Sequence, residues 1–600
     1  WTTVVLGALI VIAAGLVAIA DSGYGRALLV RFFELIIERP LKVDGDLQAH
    51  LFSLDPRVLA EKVTVGNPPW TPPGVALQAD RVSLGLRLPG LRRSGGIMSI
   101  DMQGATLHLI RDATGRANWQ WRDPATKRVH KNSSIVRSLS MLNAQVVLDD
   151  ARRHLQFVGT VSAWDVGGPG DPTPLRIEGA GQLNGRATTF AISADPLVSA
   201  SHNFAYHFRF AESSGGSHLQ GNGLFPEPFA VAIADATFVA TGPDLKDLYF
   251  LTGVHLIDTG NYRLSGKVER RGSLTTFSEL IATSGTSDVR GRVSTDSSGG
   301  RPRFDVDLHS EDLKLADLGL RAAGRAPEPQ SALLLSDAMI SPNVLHVEGA
   351  VAKYHANHLE VGRVTFENVS LAATIGKDAL NVAPLAAILS GGRLAARLTL
   401  DASKPIPIAN VDVSIADADL GKLFKKDADS PPVEGSLQAR IRVTGQGRSI
   451  HQVAASATGT VSAQMTGGAL RKSFAELTDA DLRSLGLLLV KDKQDVPIRC
   501  ALARFKAQDG TLTAQELVAD TEPVLITGEG EIHLDSEALD LAIRGNPKSL
   551  RLFRLRSPVL IQGTFAHPLI HIPVKHSHFV LADRGRAEDV DCGALLGAKR

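Results

Sequence analysis

Apolar and polar residues alternate over nearly the whole chain after Leu41, and this pattern restricts the fold more than any other feature. Arg81 to Leu88 reads RVSLGLRL, with Val82, Leu84, Leu86 and Leu88 on one parity and Arg81, Ser83, Gly85 and Arg87 on the other. A period of two sends alternate residues to opposite faces, so this is a strand with one dry face. The same arithmetic recurs in Phe304, Val306 and Leu308 against Asp305, Asp307 and His309. It recurs in Leu394, Ala396, Leu398 and Leu400 against Ala395, Arg397 and Thr399, in Leu437 to Val443, and in Glu531 to Asp535. Between Ile97 and Ile110 the apolar set moves from the even positions Met98, Ile100 and Met102 to the odd positions Ala105, Leu107 and Leu109, which predicts a bulge at Gly104.

Helical signals are sparse and periodic. Asp244 to Leu248, Asp312 to Leu318 and Asp419 to Leu423 each follow a strand and read as caps of one or two turns. The latter two stand 419 minus 312, or 107, residues apart inside similar blocks, which implies a repeat of several strands and an elongated β array. Lys472 to Val490 is the longest other helical candidate, and Asp427 to Pro432 is a linker.

The stretch Trp1 to Ala20 carries no charge and would run about 30 Å as a helix, the thickness of a hydrocarbon core. It reads as a membrane anchor. Ala18-Ile19-Ala20 before Asp21 would also suit a signal-peptide cleavage site, but the apolar run is longer than the usual signal core of about 7–15 residues. Gly25 to Arg39 places Leu28, Phe32, Leu35 and Ile36 on one helical face before Pro40 stops the helix. That helix either closes the end of the following domain or lies on the bilayer surface.

Lys plus Arg number 64 and Asp plus Glu 63, so there is no net field to attract nucleic acid. The two cysteines, Cys500 and Cys592, are too few for a metal cage or a disulfide framework in so long a chain. No GxSxG elbow, Walker loop or HExxH helix is present, so no catalytic residue, cofactor or metal is expected and the chain does not read as an enzyme. His567, His571, His576 and His578 cluster around Pro568 and Pro573 and read as an edge-strand surface group, not a zinc site. Asp149 and Asp150 face opposite ways on a strand and do not form a carboxylate pair, and Asn132-Ser133-Ser134 is a chance glycosylation triplet.

Arg111-Asp112, Gly115 and Asn118-Trp119 together resemble an element of the AsmA family of Gram-negative inner-membrane-anchored proteins. Pro40 to Leu47, Ala387 to Asp401, Asp419-Leu420, Phe505 to Leu517, Val524 to Leu534 and Pro558 to Pro568 are similar to further segments of that family, in its order. Little matches between about 190 and 276 or after Pro568. The resemblance implies a mainly β fold, an elongated curved β-sheet groove of the β-taco kind, with one N-terminal transmembrane helix and a few short capping helices. The layout it suggests is an anchor over 1–20, an amphipathic or capping helix over 21–40 and groove repeats over 41–430. A C-terminal groove region over 431–582 and a loose tail over 583–600 follow.

It further implies a periplasmic protein, anchored once in the inner membrane, that conducts phospholipid acyl chains toward the outer membrane. The alternative is a scaffold acting on outer-membrane protein assembly through exposed strand edges. Phospholipid acyl chains, the inner membrane and other envelope proteins are the implied partners. An apolar groove open to water suits acyl chains, since each buried CH₂ contributes about 0.8 kcal/mol. Val82, Leu84, Leu86, Leu394, Leu398, Leu437, Ile441, Val443, Ile532 and Leu534 are expected to line it, with Arg87, Arg397, Arg440, Arg442, Glu531 and His533 turned to water. A particle on the order of 100 Å or more in length is expected, against roughly 50–60 Å for a compact globule.

Overall fold

The computed structural model describes residues 39–597 with these exceptions: 51–55, 88–95, 120–135, 153–154, 166–172, 198–204, 226–232, 249–258, 300, 319–334, 336–348, 363, 377, 425–432, 471–495, 549–550, 556–557, 572–578 and 584–586. It also describes scattered positions between 26 and 37. The expected span over 1–20, the helical candidate at 472–490, the linker at 427–432 and the Asn132 triplet lie outside the described residues. Among those described, no helix is long and apolar enough to cross a membrane.

The chain is mainly β, in curved sheet, and forms two compact units: 1–256 with 261–280, and 257–260 with 281–600. The first unit holds β1 (Leu41–Val43), β2 (Leu47–His50), β3 (Arg57–Gly66), β4 (Val75–Arg87), β5 (Gly96–Gln103), β6 (Thr106–Arg111), β7 (Ser138–Asp150), β8 (Leu155–Trp164), β9 (Leu175–Leu183), β10 (Arg186–Ala194), β11 (Tyr206–Ser214), β12 (Ser217–Phe225), β13 (Ile233–Gly242) and β14 (Tyr262–Arg271). Here β1 and β2 share one edge of β3, and β5 and β6 are two halves of one strand beside β4. The sheet then proceeds by neighbours to β14, antiparallel except where β7 lies parallel to β5 and β6.

β15 (Leu274–Ser284) crosses the boundary. The second unit continues with β16 (Ser287–Asp296), β17 (Arg303–Lys314), β18 (Gly349–Val361), β19 (Val364–Ile375), β20 (Ala379–Leu389), β21 (Gly392–Asp401), β22 (Ile408–Asp419), β23 (Val433–Gln446), β24 (Thr458–Leu470), β25 (Val496–Gln508), β26 (Thr511–Thr521), β27 (Val524–His533), β28 (Ala538–Pro547), β29 (Arg551–Leu555), β30 (Val559–Thr564), β31 (Pro568–His571) and β32 (Phe579–Asp583). Neighbours pair antiparallel from β16 to β28 and on through β30 to β31, with the single parallel step β17–β18, while β29 and β32 form a separate ribbon. β22 and β23, on either side of the expected boundary at residue 430, are paired along their length.

Buried residues alternate along most of the strands. Ala60, Val63, Val65, Ala79, Val82, Ala105, Met141, Ala144 and Ala163 form the core of the first unit, and Ile37 of the preceding helix packs on it, as a closing helix would. Ala356, Val369 and Ala387 form the corresponding cluster in the second unit. A row of left-handed residues crosses the first sheet: Lys62 (φ +51°), Gly104 (φ +61°) and Asn143 (φ +51°), with Asp80 between Lys62 and Gly104 by register. On crossing it the buried parity changes in every strand, from Val58 and Ala60 to Val63 and Val65, and from Met141 to Ala144 and Val146. The bulge expected at Gly104 is one member of that row. A left-handed residue re-aims the chain, so a row of them bends the sheet while keeping one face dry. Asn368 (φ +49°), opposite Asn357, repeats the device in the second unit.

The three expected caps are single turns: 3-10 turns at Leu245–Leu248 and Leu315–Leu318, and α1 at Leu420–Phe424. Asp244 and Asp419 cap the first and last through side-chain acceptance from the Lys246 and Gly421 amides, at 3.1 and 2.9 Å. A second helix, α2 (Ile450–Ala455), is capped by Ser449.

The end of the chain corrects the expectation of a loose tail and of uninformative cysteines. Cys500 and Cys592 form a disulfide with Cα atoms 5.9 Å apart, tying α3 (Cys592–Gly597) to β25. Beside it the fully buried Asp520 pairs with Arg499 at 2.8 Å and with Lys548, while Asp589 pairs with the same two cations at 2.8 and 2.7 Å. Asp589, from the 587–597 segment, completes this cluster of two carboxylates and two cations. The bridged residues are 92 positions apart, too far for any local pattern to signal the pairing.

Candidate functional site: the apolar face

The ten residues expected on the apolar face divide between the units. In the first, Val82 lies in a cross-strand row that runs Ala60, Val82, Met102, Met141, Ala163, Ile177, Ile192, Phe210, Gly221, Phe238 and Gly266, from β3 to β14. Leu84 sits in the adjoining row against Val58 and Ile100, and Leu86 faces Ile97 across a bulge at the strand end.

In the second unit one row connects every strand from β16 to β28 and then β30. It begins Val293, Val306, Ala352, Ala373, Val382, Leu398, Val411, Val443. It continues Gly459, Ala507, Leu512, Ile532, Leu539, Gly563. Leu398, Val443 and Ile532, read from separate strand patterns, thus fall in one line without a polar residue. Ile441 belongs to the next row with Ala396, Val413, Val461 and Phe505, and Leu394 to the row Ala387, Leu394, Ile415, Ala439. Leu437 joins the same face opposite Met465, and Leu534 follows β27 directly, its amide donating to the Gly510 carbonyl at 2.9 Å.

The opposite parity carries most of the charges of this region. Arg397, Asp412 and Arg442 stand in line, and Asp412 pairs with Arg440 at 2.8 Å. Arg504 pairs with Glu516 at 3.0 Å and Arg544 with Glu529 at 2.9 Å. Arg397, Arg440, Arg442 and Glu531 are exposed, as expected; His533 is only half exposed, in reach of the Thr511 hydroxyl at 3.4 Å. Nothing about the Arg87 side chain is described. Among the described residues, most on the apolar face are half-buried, with neighbouring strands on either side.

The Arg111 to Trp119 element is structural. The Asn118 amide group accepts from Ile110 N at 2.9 Å and donates to the His108 carbonyl and to Asn67, at 2.7 and 3.0 Å, pinning the turn after β6 to the turn after β3. Arg111 pairs with buried Asp150 at 2.8 Å and lies over the Trp119 ring, while Gly115 takes φ +95°. Asp112 accepts from Thr114 and Arg116, and these bonds hold its carboxyl at about 2. Of the histidine cluster, His567 lies in the turn before β31 and His571 ends that strand; His576 and His578 lie outside the described residues.

The aromatic part of the face lies within residues 190–276, where little resembles the family segments named above. Phe190, Phe208 and Phe210 share the buried parity of β10 and β11 and lie over Gly179, Gly223 and Gly221, where an added Cβ would meet the rings at 2.3, 2.8 and 2.7 Å. Rings covering glycines on a neighbouring strand replace the missing side-chain packing. Phe208 also stacks on Phe225 with centroids 4.6 Å apart. One charge, Glu212, interrupts this surface between Phe190 and Leu219.

A sheet that is continuous within each unit, apolar on one parity and charged on the other, with single-turn caps after its strands, defines a β protein built around a long one-sided face. Comparison with known proteins agrees. The AsmA family model matches residues 1–163 and 237–517, and the chain belongs to the AsmA family. It is 23% identical over 576 residues to the AsmA family protein YhjG of Escherichia coli (strain K12), covering 86% of this chain and 82% of that one. No solved structure matches the chain.

Proposed function

We propose that this protein binds phospholipid acyl chains along its apolar face and conducts them between the inner and outer membranes, supporting outer-membrane homeostasis. The observation that carries the reading is the row from Val293 to Gly563, which offers a chain of methylenes an unbroken apolar path across the second unit. Sliding along equivalent rows changes little in energy, because each position replaces one aliphatic contact by another, and headgroups stay in water at the strand ends. The process needs no catalytic residue and no cofactor. Single-pass anchoring through residues 1–20 would hold the protein at the inner membrane, with the β units in the periplasm. The Cys500–Cys592 disulfide supports that placement, since such bonds persist in oxidising compartments. Native mass spectrometry of protein purified in mild detergent should show copurifying phospholipid. A lipid-free mass, under conditions in which a control carrier keeps its lipid, would contradict the reading.

A further inference from the structure

The 164–236 segment, outside the family match, meets the first cap at a cavity whose lining is more polar than the rest of the face. It encloses about 210 Å³ where β10, β11 and β12 meet the first cap, and Arg186, Glu212, Ser214, Ser217 and Asp247 line it with leucines. That volume equals about seven waters, enough for a small polar group and too small for a pair of acyl chains. Arg186 donates through Nη1 to Asp247 at 2.5 Å, which leaves further guanidinium N–H groups for a second anion. Glu212 has no hydrogen-bond or ion-pair partner among the described residues. It lies two residues from the end of β11, directly opposite Phe190 and on the same face as Phe210. A carboxylate and a guanidinium on one cavity wall suit a zwitterion, whose ammonium gains a charge-assisted hydrogen bond to Glu212.

We propose that this cavity holds the phosphoethanolamine headgroup of an aminophospholipid whose chains lie on the adjoining apolar face, Glu212 accepting from the ammonium and Arg186 donating to the phosphate. The inference rests on the lipid-carrying function proposed above and adds headgroup selection to it. The position agrees with that role: Glu212 stands near the strand ends, where a headgroup would lie with its chains on the sheet. Burial also pushes the Glu212 carboxyl above the usual carboxylate range.

Full-length protein, wild type and Glu212→Gln, is incubated with vesicles of equal phosphatidylethanolamine and phosphatidylglycerol, re-isolated, and its bound lipid quantified by mass spectrometry. The wild type should be enriched in phosphatidylethanolamine at least threefold. Glu212→Gln, isosteric and uncharged, should bring the ratio to about one at unchanged total lipid, while Arg209→Gln on the outer face should leave it as in wild type. Lipid bound without headgroup preference, or a preference that survives Glu212→Gln, overturns this inference and leaves the carrier function standing. No lipid bound by wild type overturns both. Soluble phosphoethanolamine is tested alone in a parallel arm, and binding as tight as that of the lipid would show the site to serve the free compound.

Discussion

Leu398→Asp places a carboxylate at the centre of the row that carries the proposed function. Leu398 is half-buried and faces Val382 on one side and Val411 on the other. Losing two cross-strand apolar pairs at roughly 0.2–1 kcal/mol each, plus half of a buried leucine worth about 1.5–3 kcal/mol, gives a destabilisation of about 1.2–3.5 kcal/mol. Leu398 is partly exposed, so the new charge stays hydrated and the fold should survive. An acyl chain on the row behaves differently. A hydrated carboxylate would keep some three or four methylenes off the sheet, about 2.4–3.2 kcal/mol at roughly 0.8 kcal/mol each. Lipid affinity should fall on the order of a hundredfold, tenfold for each 1.4 kcal/mol or so. Arg397→Asp, one residue away on the outer face, is the control and should keep its lipid. Denaturant melts establish that each variant folds, and native mass spectrometry reads bound phospholipid. A folded Leu398→Asp protein carrying as much lipid as wild type would refute the reasoning.

Four further outcomes follow from particular residues. Thiol titration should find no free cysteine until a reductant is added, and Cys592→Ser should lower stability by up to about 4–5 kcal/mol, the chain-entropy figure for a loop of roughly this length; an unchanged melting temperature would argue against the bond. Asn143→Val forces a branched side chain into a left-handed backbone and should cost about 1–2 kcal/mol, whereas Asn143→Gly should be tolerated, as melting curves of the two will show. The Asp112 carboxyl is held down to about 2, so its bonds to Thr114 and Arg116 stabilise the turn above the unfolded carboxylate value and are lost as pH falls from about 4 to 2; Asp112→Asn should remove that step from an acid titration followed by Trp119 fluorescence. Glu212 is shifted the other way by burial, so Glu212→Leu should raise the melting temperature at neutral pH and the gain should shrink as pH falls and the native carboxyl protonates.

Strand parity is legible in the sequence because a period of two fixes which face a side chain takes, and Leu398, Val443 and Ile532 meet in one row although each was read from its own strand. The bends are less legible. Gly104 announces one through the parity change and its lack of a Cβ, and Asn143 is of a type that tolerates the left-handed region, but Lys62 adopts the same backbone with no compositional cue. Alternation is hard to read around residues 175–225 because Gly179 and Gly181 in β9, and Gly221 and Gly223 in β12, stand where Leu or Val would complete it. The aromatic side of that arrangement was visible in Tyr206, Phe208 and Phe210 against His207 and Arg209, with Glu212 as the single break. The Cys500–Cys592 bond and the Asp520 charge cluster depend on partners far apart in sequence, where neither spacing nor periodicity reaches.

Site-specific photo-crosslinking in envelope membranes tests the central claim most directly. Crosslinkers at Leu398, Ile441 and Ile532 on the apolar face, and at Arg397, Arg440 and Glu531 on the outer face, differ by one residue in position and by a whole face in environment. The account predicts phospholipid adducts from the first three and none from the second three. Equal capture from both parities, or capture from the outer face alone, would contradict it.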